Sequence, residues 1–224
     1  MKLYMHPVSM TSRPVRLFIA ENGIEMEEVV IDILQGEHMQ PPYSDLNPNK
    51  LVPVLDDDGM ILTESSSILK YLADKIDSPA YPKDLKARAK VNEAMDWFNT
   101  NFYRDYGYGW VYPQVFPNHK RPDDTVHAGT IAWGKERALG WLQILNDHMI
   151  GPDQAYLCGN DITIADYFGV SLLTLGEVIR NDFSAYPNIV RWLANMKSLK
   201  SWPEINEALY GLQGMVKDME FDAI

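Results

Sequence analysis

Cysteine, basic charge and long apolar runs are all scarce in this chain of 224 residues. The single cysteine, Cys158, excludes an internal disulfide bond and a multi-cysteine metal site, so we expect no metal and a reducing compartment. Cys158 lies in "AYLCGNDIT" among apolar neighbours, which is typical of a packed, unreactive thiol.

Basic residues number 20 against 31 acidic ones, which gives a net charge of −11. This charge repels a phosphate backbone or an anionic bilayer, so we expect no nucleic-acid and no membrane partner. No stretch approaches the roughly 20 apolar residues that span a bilayer, and the first residues lack the apolar run of a signal peptide. These absences together predict a cytoplasmic protein.

The length and the apolar content of 46% are typical of a globular protein with two domains. In the first third, period-two spacing and turn residues predict the order β-α-β-α-β-β-α, an α/β domain. Its first helix is expected to have Ser12 as N-cap and Gly23 just past its end. The predicted strands are 2–5, 26–32, 51–55 and 60–63, and the last helix of this part is predicted at 64–76.

Two prolines in "DSPAYPKD" separate this part from a segment with apolar residues at helical spacing. No strand alternation follows them, so we expect an all-α C-terminal domain. We place the first domain at 1–78, a linker at 79–86 and the helical domain at 87–224.

The most unusual feature of the first domain is Pro53 inside the apolar segment "LVPVL". Proline cannot donate to a sheet ladder, so it is expected at an edge, a strand start or a distortion. A cis Val52-Pro53 bond is a further option, and it would turn the Val52 amide and carbonyl toward a cleft, free to pair with a peptide-like ligand.

The segment "TESSS" opens the helix that follows this strand pair. Thr63 or Glu64 can cap it, and the free amides of its first turn with the Ser65 hydroxyl can bind an anion. Glu64 can in turn hold an ammonium group. An ordinary serine-rich helix start explains the same residues, so both interpretations stay open.

A third polar cluster, Ser9, Thr11 and Ser12, lies between the first strand and the first helix. A hydroxyl there can donate to a thiolate and lower the pKa of the thiol. Such a shift of about 2 units needs about 2.7 kcal/mol of preferential interaction with the anion. The alternative is that these hydroxyls are a helix cap and solvated side chains.

These segments, in this order, resemble the glutathione S-transferase family over essentially the whole chain. The matching pieces are Val52-Pro53, Glu64-Ser65 and "GNDITIADYF", in which Thr163 and Asp166 form a capping box. The resemblance implies an N-terminal thioredoxin-like domain followed by an all-α domain, glutathione as cosubstrate and a homodimer.

Residue by residue, the resemblance implies that the Val52 backbone, before Pro53, pairs with the cysteinyl part of glutathione. Glu64 and Ser65 are expected to hold its γ-glutamyl end. His38 and Lys50 match positions that bind the glycine carboxylate in theta and delta-like classes, although each is equally explained as a solvated surface residue. The expected glutathione-binding residues are His38, Lys50, Val52, Pro53, Glu64 and Ser65.

The class is indicated by what stands near the first strand. Met5 occupies the place of the tyrosine of tyrosine-type classes, and Met10 that of the beta-class cysteine. Ser9 matches the serine of theta and delta-like enzymes, so we take Ser9 as catalytic, with Thr11 and Ser12 as rivals. Leu51 departs from the polar residue of several classes, which predicts weaker glutathione binding.

The segment "NFYRDYGYGWVYPQVF" supplies aromatic residues where the family holds its acceptor substrate. We expect Tyr103, Tyr106 and Trp110 to line a pocket for a small hydrophobic electrophile, although such a stripe is also typical of a helix core. The predicted activity is conjugation of glutathione. The alternatives are a non-catalytic glutathione-fold domain or a glutathione-dependent isomerase, peroxidase or dehalogenase.

Overall fold

The computed structural model describes residues 1–224 and begins with an α/β domain in the predicted order β-α-β-α-β-β-α. The thioredoxin-like arrangement and the helical domain that follows it are confirmed. Its strands are β1 (Lys2–Met5), β2 (Glu27–Val30), β3 (Val54–Asp57) and β4 (Met60–Leu62), and its helices are α1 (Ser12–Glu21), α2 (Tyr43–Leu46) and α3 (Ser65–Lys75).

The four strands form one mixed sheet in the order β2-β1-β3-β4. β1 runs parallel to β2 and antiparallel to β3, where Leu3 lies opposite Leu55. Both leucines are fully buried, and α1 and α3 pack against each other over the core that contains them. β2 is shorter than the predicted strand 26–32, and Pro53 lies just before β3 rather than within it.

Helix α1 begins differently from the prediction. Ser12 lies in the first helical turn and Thr11 occupies the cap position, so Ser12 is not the N-cap. The helix ends as expected at Gly23, which has a φ of 61°. The Ile24 amide donates to the Ile19 carbonyl at 3.0 Å, and this bond satisfies one of the carbonyls left open at the helix end.

The helical domain begins at α4, whose first residue lies inside the segment predicted as linker. Asp84 caps this helix by accepting from the amides of Lys86 and Ala87 at 3.1 and 2.9 Å. Its helices are α4 (Leu85–Trp97), α5 (Tyr112–Val115), α6 (Asp124–Ile144), α7 (Ile164–Leu173), α8 (Pro187–Lys197), α9 (Trp202–Ile205) and α10 (Glu207–Met215). No helix of the structure has both the length and the apolar composition needed to cross a bilayer.

Two π-helical segments, Phe98–Phe102 and Arg104–Val111, join α4 to α5. The wider turn of a π-helix changes which side chains share a face, and such segments are common at functional sites. The second segment lies within the aromatic stretch that the sequence placed near the acceptor substrate and contains Tyr106 and Tyr108.

The predicted capping box is present at the start of α7. The Asp166 carboxylate accepts from the amide and the hydroxyl of Thr163, both at 2.8 Å. It also accepts from the Leu157 amide and the Trp192 indole, each at 2.9 Å. Burial raises the pKa of the Asp166 carboxyl, and these hydrogen bonds oppose that rise. One carboxylate therefore joins α7, α8 and the loop before α7.

Arg13 of α1 connects the two domains. Its side chain is fully buried and donates to the Ser171 carbonyl at 2.6 Å and to the Thr174 hydroxyl at 3.1 Å. It also donates to the side-chain oxygen of Asn206. Burial lowers the pKa of Arg13 to about 10, so the guanidinium stays charged at neutral pH. The start of α1, which carries the polar cluster, is thus fixed against the helical domain.

Candidate active site

A cleft of about 840 Å³ lies between the two domains. One wall comes from residues 8–11, 33–39 and 50–52 of the first domain, and the other from aromatic residues between 103 and 119. The volume falls within the usual range for small-molecule sites. The cleft therefore offers a polar wall of backbone and hydroxyl groups opposite an aromatic wall.

The three candidate hydroxyls differ in what their protons do. Thr11 donates its single proton to the Val52 carbonyl at 2.8 Å. The Ser9 and Thr11 oxygens are 3.1 Å apart, so in that contact Ser9 is the donor. The Ser9 oxygen also accepts from the Ser12 amide at 3.2 Å. Ser9 therefore holds a proton that can turn from Thr11 to another acceptor in the cleft.

Ser12 lies outside this arrangement. Its hydroxyl oxygen is buried and has no hydrogen-bond partner in the structure, and Ser12 does not line the cleft. The amide of Ser12, rather than its side chain, takes part in the turn, because it donates to Ser9.

The Val52-Pro53 peptide bond is cis, as considered from the sequence. Val52 lies outside the sheet register and on the cleft wall, so its amide is free for a ligand. Its carbonyl already accepts from Thr11, which corrects the expectation that both groups are free. A second cis bond, Pro41-Pro42, was not predicted.

Helix α3 begins at the predicted place, but its cap differs. Glu64 has the cap position with a φ of 65°, and its side chain makes no capping hydrogen bond. This backbone conformation is unfavourable for a residue with a Cβ, and such residues cluster at ligand sites. The first bond of the helix runs from the Ile68 amide to the Glu64 carbonyl at 2.9 Å, so the amides of residues 65–67 have no helical acceptor.

Glu64, Ser65 and Pro53 are not on the wall of the cleft itself. Glu64 is nevertheless close to it, because its negative charge adds to burial in raising the pKa of Tyr108, which lines the cleft. The start of α3 and the cleft are therefore neighbouring parts of one region.

His38 and Lys50 both line the cleft, as the sequence predicted for residues near one ligand. The Nδ1 atom of His38 is buried without a hydrogen-bond partner. Lys50 has a φ of 56°, in the left-handed region, and makes no ion pair in the structure. Two groups able to bind an anion therefore line the same cleft.

The aromatic wall consists of Tyr103, Tyr108 and Tyr112, with Phe116 and His119 beside them. The rings of Tyr103 and Tyr112 lie 5.1 Å from that of Tyr108 in edge-to-face arrangements. The His119 ring lies 5.0 Å from that of Tyr112. Burial lowers the pKa of His119, which keeps its imidazole neutral at pH 7. These rings together form a surface on the cleft against which a flat or apolar molecule can pack.

Tyr106 and Trp110, which we predicted for this pocket, are fully buried in the core instead. The Tyr106 hydroxyl donates to the Leu173 carbonyl at 2.9 Å, and the Trp110 indole donates to the Asp222 carbonyl at 2.8 Å. The pocket prediction is therefore corrected to Tyr103 with Tyr108 and Tyr112. Only the local density of aromatic residues pointed to Phe116 and His119 at the level of the sequence.

Cys158 lines a smaller cavity of about 320 Å³ elsewhere in the helical domain. Burial raises the pKa of its thiol to about 11, so the thiol is protonated at neutral pH and is a poor nucleophile. This agrees with the predicted unreactive cysteine.

The fold and the cleft define a two-domain thioredoxin-like protein with room for a small peptide beside an aromatic or apolar second ligand. A model of the glutathione S-transferase N-terminal domain matches residues 1–74, and one of the C-terminal domain matches residues 132–200. Glutathione S-transferase theta-2 of Mus musculus is 33% identical over 202 residues, covering 86% of this chain and 78% of the relative.

Solved structures give the same result. A human theta-2 enzyme, in complex with glutathione and an unknown ligand, has a TM-score of 0.85 at 27% identity, covering 99% of this chain and 92% of the other. A delta-class enzyme of Nilaparvata lugens has a TM-score of 0.79 at 32% identity, covering 97% and 99%. The chain belongs to the glutathione S-transferase family, enzymes that transfer alkyl or aryl groups to glutathione, as the sequence predicted.

Proposed function

We propose that this chain is a serine-type glutathione transferase in which Ser9 stabilises the glutathione thiolate for attack on a small hydrophobic electrophile. The observation that carries the proposal is that the Ser9 hydroxyl lines the cleft and donates only to the Thr11 hydroxyl, an acceptor that a thiolate can replace. Thr11 has committed its proton to Val52, and Ser12 is buried away from the cleft. The thiolate is supplied by the cosubstrate, so the protein contributes mainly positioning and charge stabilisation.

The proposed position of glutathione follows from three groups of donors. The Val52 amide would bind the cysteinyl carbonyl, in the manner of a strand pairing with a strand. The free amides at the start of α3, together with the Ser65 hydroxyl, would hold the γ-glutamyl carboxylate. Glu64 would bind the ammonium group beside it. This arrangement would bring the sulfur near Ser9, at the boundary with the aromatic wall.

His38 and Lys50 are proposed to hold the glycine carboxylate at the other end. Replacing Lys50 by methionine should raise KM for glutathione about 10-fold with little change in kcat, because a charge-assisted hydrogen bond of about 1.5 kcal/mol is lost equally from ground and transition states. Steady-state kinetics with glutathione as the varied substrate measures this. Lys86→Met, at an exposed position on α4, is the matched control. An unchanged KM in Lys50→Met would remove Lys50 from the site.

The direct test of the activity is a pair of measurements on the purified chain. Calorimetry should detect binding of glutathione, and conjugation should be seen with at least one of a chloronitrobenzene, an isothiocyanate and an alkyl halide. Binding without turnover of any of them would contradict the proposal. We further propose a homodimer, for which light scattering should give twice the chain mass of 25.6 kDa.

A further inference from the structure

Three large apolar side chains are exposed on the first-domain wall of the cleft. Leu34, Met39 and Leu51 are 61%, 47% and 57% exposed, and all three line the cleft. These three side chains form the apolar rim. Single exposed apolar residues are common on protein surfaces, but several along one cleft are typical of a surface that contacts a ligand. The hydroxyls, amides and charged groups assigned so far leave this surface unused.

The backbone holds the apolar rim in place without a ligand. The Leu51 carbonyl accepts from the Tyr43 hydroxyl at 2.6 Å and from the Asn47 side-chain amide at 2.7 Å. The Met39 amide donates to the Gly36 carbonyl at 2.9 Å, in a short 3₁₀ turn. A ligand that covers these side chains therefore does not have to order the chain first, and this lowers the entropic cost of binding.

The apolar rim adjoins the two groups that can bind a carboxylate. Met39 follows His38 directly in the chain, Leu51 follows Lys50, and all four residues line the cleft. In an amino acid the carboxylate and the side chain are attached to the same carbon atom. A terminal carboxylate bound by His38 and Lys50 would therefore bring the side chain of its own residue next to Met39 and Leu51.

Glycine leaves this surface uncovered. Glutathione ends in a residue without a side chain, so its carboxylate can reach His38 and Lys50 while the apolar rim stays exposed to water. Covering apolar surface is favourable, and partial burial of a side chain as large as leucine should strengthen binding about 10-fold. A larger third residue would thus gain affinity that glycine cannot supply.

We propose that the apolar rim binds an apolar side chain on the third residue of the thiol cosubstrate, so that γ-glutamylcysteinyl tripeptides ending in a residue such as leucine are preferred over glutathione. The inference rests on the proposed function, because it needs the tripeptide in the cleft with its terminal carboxylate at His38 and Lys50. The thiol and the γ-glutamyl end are the same in both peptides, so the transfer reaction does not change.

The test compares three peptides by calorimetry on the full chain: glutathione and two analogues in which serine or leucine replaces glycine. We expect the leucine analogue to bind with a Kd about 10-fold lower than that of glutathione, and the serine analogue to bind like glutathione. The serine analogue separates the effect of apolar surface from that of size. The heat capacity change on binding should also be more negative for the leucine analogue, because it buries more apolar surface.

The Met39→Gln/Leu51→Asn double variant tests whether the apolar rim is the cause. Each substitution keeps the approximate shape of the side chain and makes it polar, so the preference for the leucine analogue should fall below about 2-fold. Met215→Gln is the matched control, because Met215 is exposed at the end of α10 and does not line the cleft. This control should keep the wild-type preference. All three positions are exposed, so the variants should fold like the wild type.

The outcomes separate this inference from the proposed function. Equal affinity for the three peptides, weaker binding of the leucine analogue, or a preference that survives the double variant overturns the role of the apolar rim and leaves the transferase activity in place. A higher KM for the electrophile in the double variant, with the peptide preference unchanged, overturns it as well and assigns the rim to the acceptor. Failure of all three peptides to bind contradicts the proposed function.

Discussion

Replacing Ser9 by alanine should lower kcat/KM for conjugation at pH 7 about 25-fold, which is the fall in the thiolate fraction when the pKa of the bound thiol rises by about 2 units. The loss arises because the thiol of bound glutathione returns toward its reference pKa of about 8.5, so that little thiolate is present at pH 7. The activity of the variant should therefore rise with pH through about 8.5, whereas the wild type changes little over that range. A pH series of kcat/KM at low glutathione measures both effects.

The rival hydroxyls provide the controls for this experiment. Ser12→Ala should keep wild-type activity, because its hydroxyl is buried without a partner and outside the cleft. Thr11→Val should have a smaller effect than Ser9→Ala, since Thr11 acts on the position of Val52 and Ser9 rather than on the sulfur. Full activity of Ser9→Ala together with a large loss in either rival would transfer the role to that rival.

Replacing Asp166 by alanine should destabilise the chain by about 4 kcal/mol, because it leaves four donors that met one buried carboxylate without an acceptor. For a chain of this size the melting temperature should fall by roughly 8 to 16 °C. Chemical unfolding followed by tryptophan fluorescence measures the change, and Trp192, one of six tryptophans, is among the donors that lose their acceptor.

Asp161→Ala is the matched control for the Asp166 variant. Asp161 is an exposed aspartate of the same loop, without a hydrogen bond to α7 or α8, so its removal should change the free energy of unfolding by less than about 0.5 kcal/mol. Equal stability of the two variants would mean that the capping box does not hold these elements together.

The first domain was predictable because its signals are local. Period-two spacing, the Asp-Gly turn and Gly23 each determine a short piece of backbone, and the order of elements follows from them. The prediction of Ser12 as the N-cap was wrong, and the reason is also local. The Ser9 hydroxyl, three residues earlier, already accepts from the Ser12 amide, so the chain enters the helix one residue sooner.

The acceptor pocket was predicted less well because helix type cannot be read from apolar spacing. The prediction rested on the density of aromatic residues where the family holds its acceptor substrate, and an α-helix would place Tyr103, Tyr106 and Trp110 on one face. In the π-helical segment the face is instead shared by Tyr103, Tyr108 and Tyr112. The segment packs against α6, and this tertiary contact leaves no periodic signal in the sequence.

The polar wall of the cleft was predicted less completely than the first domain and better than the acceptor pocket. The sequence identified Ser9, Thr11, His38, Lys50 and Val52 as separate candidates, and the structure brings all five to one cleft. The sequence could not indicate the direction of the hydrogen bonds among these residues. Whether Thr11 or Ser9 has a proton to give depends on the position of the Val52 carbonyl, which lies 41 residues from Thr11 along the chain.

The most direct measurement is an ultraviolet titration of the thiolate of glutathione bound to the wild-type chain and to Ser9→Ala. The wild type should ionise its bound thiol about 2 pH units below the reference value, and the variant should move most of the way back toward about 8.5. An unshifted thiol in the wild type, or the same depressed pKa in both proteins, would contradict the role assigned to Ser9.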